Sequence, residues 1–344
     1  MVNCNINRVP VKNRLDRKGP SNIIGIMRRF PVLVLLLAII GCPTRERDYR
    51  EDMREFIGRI KGYARGISPG FLIIPQNGDG LLTIDGSPDG PRATDYLSGI
   101  DGLGREDLFY GYNGVDLPTP ESERKEMIEF MDLAEEEGVE VLVVDYCSTR
   151  TKVDDSYLKS YQRGYISFAA DHRELDNIPS YPDPPFNVNS DDITSLSMAR
   201  NFLYLINPGS FPTKDSLLLS LQATNYDLLI IDLFYEGKSL TSDEVASLKV
   251  KKNGGKRLVI AYLSIGEAED YRYYWQEEWE EDPPPWLAEE NPNWPGNYRV
   301  RYWDPDWQQI IFGNDNSYLR KILDAGFDGV YLDKVDTFEY FEGE

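Results

Sequence analysis

The residues best suited to chemistry gather late in the chain, between Arg257 and Asp336. One apolar run there, RLVIAYLS, ends in the polar cluster IGEAEDYR, which carries Glu267, Glu269, Asp270 and Arg272. A second, GFDGVYLDKVD, ends in Asp333 and Asp336. Between them lie all six tryptophans of the protein: Trp275, Trp279, Trp286, Trp294, Trp303 and Trp307. Two hydrophobic strands that each stop at carboxylates, with an aromatic loop between, have the make-up of a carbohydrate site on a parallel barrel. Carboxyl groups can protonate or attack at a glycosidic bond, and aromatic faces can stack on sugar rings. Tryptophans serving only a core would be scattered, not crowded into one Pro- and Glu-rich loop.

Composition narrows the chemistry. Lys and Arg number 37 against 58 Asp and Glu, a net charge of −21. That balance excludes nucleic-acid binding, which needs a basic footprint. It serves solubility or suits a cationic partner. The single histidine, His172, excludes a His-based metal centre, and any Ser-His triad would have to use it. Cys4, Cys42 and Cys147 are too scattered for a zinc site or a disulfide framework. Catalysis then rests on carboxylates and tyrosines, with no cofactor and no metal. A chain of 344 residues, 41% hydrophobic, is long enough for one α/β-barrel core of about 250 residues.

The elements that must position these groups follow a βα rhythm. Residues 1–26 are basic and without periodicity. Arg28 and Arg29 then precede an apolar run, 31–40, of signal-peptide length, too short for a bilayer span of about 20 residues. Ile39-Ile40-Gly41-Cys42 resembles a lipobox, so Cys42 is expected to carry lipid and to leave the chain secreted or anchored at the cell surface. Residues 1–42 form this leader, and 43–344 a single barrel. Apolar spacing predicts helices from about 45, over 121–137, 156–163, 242–253 and 307–325, and one ending at 224. Between them run apolar strands: FLIIPQN, a weak short strand within YLSGIDGLGREDLFYG, VEVLVVDY, YISFAAD, NFLYLIN, YDLLIIDLFYEG, RLVIAYLS and GVYLD. Residues 176–195, rich in Pro, Asn and Asp, read as a linker between a half at 43–175 and a half at 196–344. Continuous apolar strands with helical crossovers imply a parallel sheet covered on both faces. Eight such units predict a closed (β/α)8 barrel; the runner-up, a doubly wound sheet, lacks its GxGxxG turn.

AYLSIGEAEDYRYYW, NPNWPGNYRVRYWDPDW and GFDGVYLDKVD resemble glycoside-hydrolase family 114, which includes endo-α-1,4-polygalactosaminidases. The resemblance extends from about Asp52 to the end, but in an altered order. NFLYLINPGSF and YDLLIIDLFYEG resemble the family's first two barrel units and GVYLDKVD its fourth. The segments before the linker resemble units five to eight. The resemblance therefore implies a circularly permuted barrel, with units 5–8 ahead of units 1–4.

It also implies roles. Asp333 matches one acid of the family's proposed catalytic pair, as nucleophile or base, and Glu106 matches the other, as proton donor. Glu267 competes for either role, or holds a substrate hydroxyl or amine, or orients Arg272. Asp232 and Asp145, at strand ends, bind sugar or satisfy loop amides. Gln76 and Asn77 have amides suited to hydroxyl recognition, and Tyr302 and Trp303 are the expected stacking platforms. Asp232, Glu267, Asp333 and Asp336 would form a groove for a cationic amino sugar. Two classes of function stay open: an extracellular endo-acting glycosidase, and a surface polysaccharide-binding scaffold without turnover. Either would act as a monomer on a polysaccharide or oligosaccharide, touching the membrane through its lipid anchor alone.

Overall fold

The chain's last strand lies between its first and its seventh, and that crossing organises the molecule. The computed structural model describes residues 47–343; the expected leader and Cys42 lie outside the described residues. The strands that matter are β1 (Leu72–Pro75), β2 (Gly102–Glu106), β3 (Glu140–Tyr146), β4 (Ile166–Ala170), β5 (Phe202–Leu205), β6 (Leu228–Ile231) and β7 (Leu258–Ser264), then β8 (Glu267–Glu269), β9 (Leu287–Glu290), β10 (Asn297–Val300) and β11 (Gly329–Asp333). A five-stranded parallel sheet runs β1-β11-β7-β6-β5. A three-stranded parallel sheet runs β2-β3-β4. The two sheets meet at a parallel bridge between Gln76 and Gly104, where Asn77 N donates to Gly104 O at 2.9 Å. At the far edges, the Phe168 ring of β4 lies 5.7 Å from the Phe202 ring of β5. The fold is thus mixed α/β, and its parallel strands are buried along nearly their whole length, as their continuous apolar sequence requires. The β8-β10-β9 sheet is antiparallel and carries the aromatic segment.

Helices α1 (Tyr49–Ile67), α2 (Glu121–Glu136), α3 (Arg150–Arg163), α4 (Lys214–Gln222), α5 (Ser242–Leu248), α6 (Pro305–Ile311), α7 (Tyr318–Asp324) and α8 (Thr337–Glu342) fill the connections. Their ends follow local chemistry. The Asp48 carboxylate accepts from Glu51 N to start α1, and Met53, Phe56, Ile57 and Ile60 bury its apolar face. Thr213 and Thr241 open α4 and α5 with capping boxes. Gly164, at φ +84°, closes α3.

Three expectations need correction. The helix expected over 156–163 begins at Arg150; Val153 alone marks its first turns as buried, which is too little for periodicity to register. The helix expected to reach 253 stops at Leu248, because Val250 bridges Lys256 and the Lys251 side chain is drawn into the interior. The helix expected over 307–325 is two, α6 and α7, parted at Gly313 with φ +105°.

The Pro-rich segment 176–195 is tied down along its length. Asn189 Nδ2 donates to Asp227 Oδ2 at 2.7 Å, and Lys251 Nζ donates to Asn189 Oδ1 at 3.1 Å and to Asp227 Oδ1 at 2.8 Å. Ile193 is buried and its amide bonds Lys256 O. Residues from Arg47 onward form one compact unit.

Candidate active site

The strands' carboxyl ends surround a pocket of about 200 Å³. That is below the roughly 300–1,000 Å³ of drug-sized ligand sites, and suits a single sugar unit. Gln76 and Asn77 follow β1, Glu106 ends β2, Tyr146 ends β3, Asp232 follows β6, and Asp333 ends β11. All line this pocket, together with Arg272 and Asp336.

Glu106 is held at both oxygens. The Tyr146 hydroxyl donates to Oε1 and Asn77 Nδ2 to Oε2 at 2.8 Å, while the Glu106 amide donates to Asn77 Oδ1 at 3.0 Å. Asp333 is likewise fixed, with Tyr262 Oη donating to Oδ2 and Lys334 N to Oδ1, each at 2.7 Å. Burial pushes the Asp333 carboxyl up to about 6; the Lys334 ammonium opposes this and the Glu106 charge adds to it. Asp336 is pushed higher, to about 7, by burial first, with Lys334 again opposing and Asp333 adding. Two carboxyls that feel each other's charge titrate as a pair, so between their steps the pair holds one proton.

Arg272 is buried and spoken for. Its Nη1 lies 2.7 Å from Asp232 Oδ2 and its Nε donates to Glu269 Oε2 at 2.6 Å, with the Tyr271 and Tyr318 rings beside the guanidinium. Asp232 also accepts from Phe234 N at 2.6 Å. This triad forms one wall of the pocket.

Four expected site residues lie elsewhere. Glu267 is buried outside the pocket lining; Asn291 Nδ2 donates to its Oε1 at 2.7 Å and Lys334 Nζ stands 3.7 Å from its Oε2. Asp145 is fully buried and caps the loop after β2, accepting from Phe109 N, Tyr110 N and Ser156 Oγ. Its carboxyl is pushed up to about 6 by burial. Tyr302 is wholly buried with its hydroxyl on Tyr49 O, and Trp303 packs against Tyr49 and Phe341. Both belong to the contact between this segment and helices α1 and α8, because the chain after β10 turns back toward them. His172 sits between Asp171 and Asp176, with no serine among its partners.

The sequence reading missed Tyr146, Tyr204, Tyr262, Arg173, Lys334 and Trp294, all of which line the pocket. The signal for the tyrosines was present: each stands within or at the end of an otherwise apolar strand, where a hydroxyl needs a partner. A second, acidic cleft of about 470 Å³ shares Asn77, Glu106 and Asp336 with the pocket. It is lined further by Asp79, Asp107, Glu123, Glu126 and Glu339, with Arg50 and Arg105.

Paired carboxyls at the ends of parallel strands, in a pocket of sugar size, are groups that can protonate or attack at a glycosidic bond. Over residues 217–344 the chain is similar to glycoside-hydrolase family GH114, whose model matches that segment. An uncharacterized protein of Methanocaldococcus jannaschii is 41% identical over 178 residues, 52% of this chain and 49% of that protein. Uncharacterized proteins of Thermotoga maritima and Deinococcus radiodurans are 40% and 39% identical over 126 and 122 residues, covering 37% and 36% of this chain. The chain spans about half the length of the first relative and 38% and 37% of the other two.

Proposed function

We propose that the protein is a glycosidase that cleaves a polysaccharide with Glu106 and Asp333 as its two carboxyl groups. One observation carries this reading: the two residues, 227 apart in sequence, line one pocket, and the Glu106 charge adds to the proton affinity of Asp333. Glycoside cleavage by two carboxyl groups needs one of them protonated and the other ionised. Glu106 would protonate the departing oxygen while Asp333 faces the anomeric carbon as nucleophile or base. Gln76 supports the floor, since its Oε1 accepts from Tyr204 Oη at 3.1 Å.

The eight parallel strands are read as a (β/α)8 barrel in permuted order. Support comes from the bridge at Gln76 and Gly104, from the contact of Phe168 with Phe202, and from the place of the last strand between the first and seventh. Segment 176–195 then serves as the link between halves.

The substrate class is an amino-sugar polymer of the α-1,4-linked galactosamine type. The acidic cleft beside Glu106 favours cationic rings, and its position next to the pocket lets a chain run past the pair, as an internal cut requires. Release of reducing ends from polygalactosamine, abolished in Asp333→Asn, tests the reading. Binding of the polymer without turnover would instead support a surface scaffold. Attachment to the membrane through a lipid on Cys42 belongs to the same proposal. Cys42→Ala should move the protein from the membrane to the soluble fraction.

A further inference from the structure

The pocket has room for one sugar unit, yet its rim carries groups that one unit would leave idle. Trp294 lines the pocket and is 45% exposed. Trp275, Trp279, Trp286 and Trp307 pack ring against ring at 5.0–5.3 Å; Trp294 takes no part in that row. It stands at the tip of the β9–β10 hairpin, in a turn closed by Trp294 N on Asn291 O at 3.0 Å and Asn297 N on Trp294 O at 3.1 Å. The turn is fastened from below, where Asn291 Nδ2 donates to the buried Glu267 carboxylate at 2.7 Å. A large apolar ring held on a fixed turn and left open to the pocket is prepared for an apolar ligand face.

Two neighbours supply the rest. Asn297 lines the same pocket, and its Oδ1 is shut off from water without a hydrogen-bond donor. An orphaned acceptor of this kind is costly until a donor arrives. Tyr271, 60% exposed, lines the pocket as well, its hydroxyl fixed on Glu269 Oε1 at 2.5 Å. An open aromatic face beside an unsatisfied amide matches a sugar ring, which presents C–H groups on its face and hydroxyls at its edge.

We infer that Trp294, Tyr271 and Asn297 form a second sugar-binding subsite at the pocket mouth. It takes the ring joined to the one held between Glu106 and Asp333. The C–H face lies on the Trp294 indole, and a hydroxyl of the same ring donates to Asn297 Oδ1. The inference rests on the glycosidase reading and assigns it a minimum substrate of two rings.

The test compares the parent chain with Trp294→Ala and Trp294→Phe on polygalactosamine and on a one-ring aryl galactosaminide. Circular dichroism confirms folding, which a rim substitution spares. Trp294→Ala should raise KM on the polymer about tenfold, the scale of one lost aromatic stack. Its loss on the one-ring substrate, too short to reach the indole, should be several-fold smaller, and Trp294→Phe should restore most of the polymer KM. Calorimetric titration of galactosamine oligosaccharides into the Asp333→Asn protein should show the same order of affinities. An active parent whose polymer KM is unmoved by Trp294→Ala overturns the subsite and leaves the glycosidase reading standing. A parent that neither binds nor cleaves the polymer overturns both.

Discussion

Asn77 and Glu106 hold each other by reciprocal hydrogen bonds, side chain to side chain at 2.8 Å and amide to side chain at 3.0 Å. Asn77 sits at φ +59°, a left-handed conformation that asparagine tolerates better than most residues. That turn, just past β1, swings its amide across to the end of β2. Glu106 is therefore aimed from outside its own strand, and Tyr146 on β3 fixes its other oxygen. Asn77→Ala should keep the fold and lower kcat, with Glu106 left to Tyr146 alone.

Glu106→Gln and Asp333→Asn should each lower turnover by more than about 100-fold, the scale for a misplaced or missing acid or nucleophile. Far-ultraviolet circular dichroism should stay unchanged. With an aryl glycoside, azide should restore part of the activity to Asp333→Gly with inversion at the anomeric carbon, and to Glu106→Gly with retention, if Asp333 attacks that carbon. The reverse pattern would exchange their roles.

Stability should fall as pH rises through the neutral range. Asp107, Asp145 and Asp333 are pushed up to about 6 and Asp336 to about 7, in each case by burial first. Their unfolded values lie near about 3.9, so the native state binds the extra protons. That contribution is complete below about pH 4 and is lost as pH rises through 6 to 7. Asp116 acts oppositely: hydrogen bonds from Thr149 and Ser148 outweigh burial and hold it at about 2, so its share is lost in strong acid. The melting temperature should peak near about pH 4–5 and decline to pH 8. Asp336→Asn should flatten the decline; a flat or rising curve in the parent from 5 to 8 would contradict the assignment.

Much of this could be read from the sequence, and one strand shows why the rest could not. The segment YLSGIDGLGREDLFYG showed only a weak short strand, because the glycines of β2 carry no apolar pattern. In the structure a Cβ on Gly104 would stand 2.0 Å from the Tyr331 hydroxyl. The glycine thus makes room for a tyrosine from another strand, a relation that periodicity within one segment cannot express. Tyr302 and Trp303 were misread for the same reason. An aromatic near a strand end looks alike whether the chain next turns toward the pocket or toward α1 and α8. Asp333 could be proposed from the sequence because GVYLDKVD surrounds it, and Glu106 only by a looser match; both line the pocket. Gly104→Ala should cost about 1–3 kcal/mol by overpacking, read as a lower melting temperature.

Segment 176–195 should resist separation into halves. Each half alone would leave sheet edges and an apolar sheet face open, and Lys251, Asp227 and Asn189 bind the segment to the strands beside it. Limited proteolysis within 176–195 should give fragments that co-elute until denatured. Two separately folded halves would contradict the single barrel. Lys251→Met leaves Asp227 buried without its cation and should destabilise by about 3–5 kcal/mol.

Glu267 gives the sharpest test, since sequence made it a rival acid and the structure makes it a post. Its Oε1 secures Asn291 and so the turn of Trp294; its Oε2 lies 3.7 Å from Lys334 Nζ. Were it the proton donor, Glu267→Gln would remove turnover as Glu106→Gln does. As a post, the glutamine keeps an oxygen for Asn291, and kcat should stay within about threefold of the parent, far from the about 100-fold loss of a missing acid. The loss of charge should nevertheless show. The Glu267 carboxylate raises the Asp336 carboxyl, and it partly offsets the Lys334 ammonium that draws Asp333 and Asp336 down. Without it, both carboxyls lose protons more readily. The acid limb of the pH–rate profile, where Asp333 must lose its proton to attack, should therefore move to lower pH in Glu267→Gln, with the parent limb near about 6. A limb that stays in place, or moves upward, would detach Glu267 from the electrostatics of the pair.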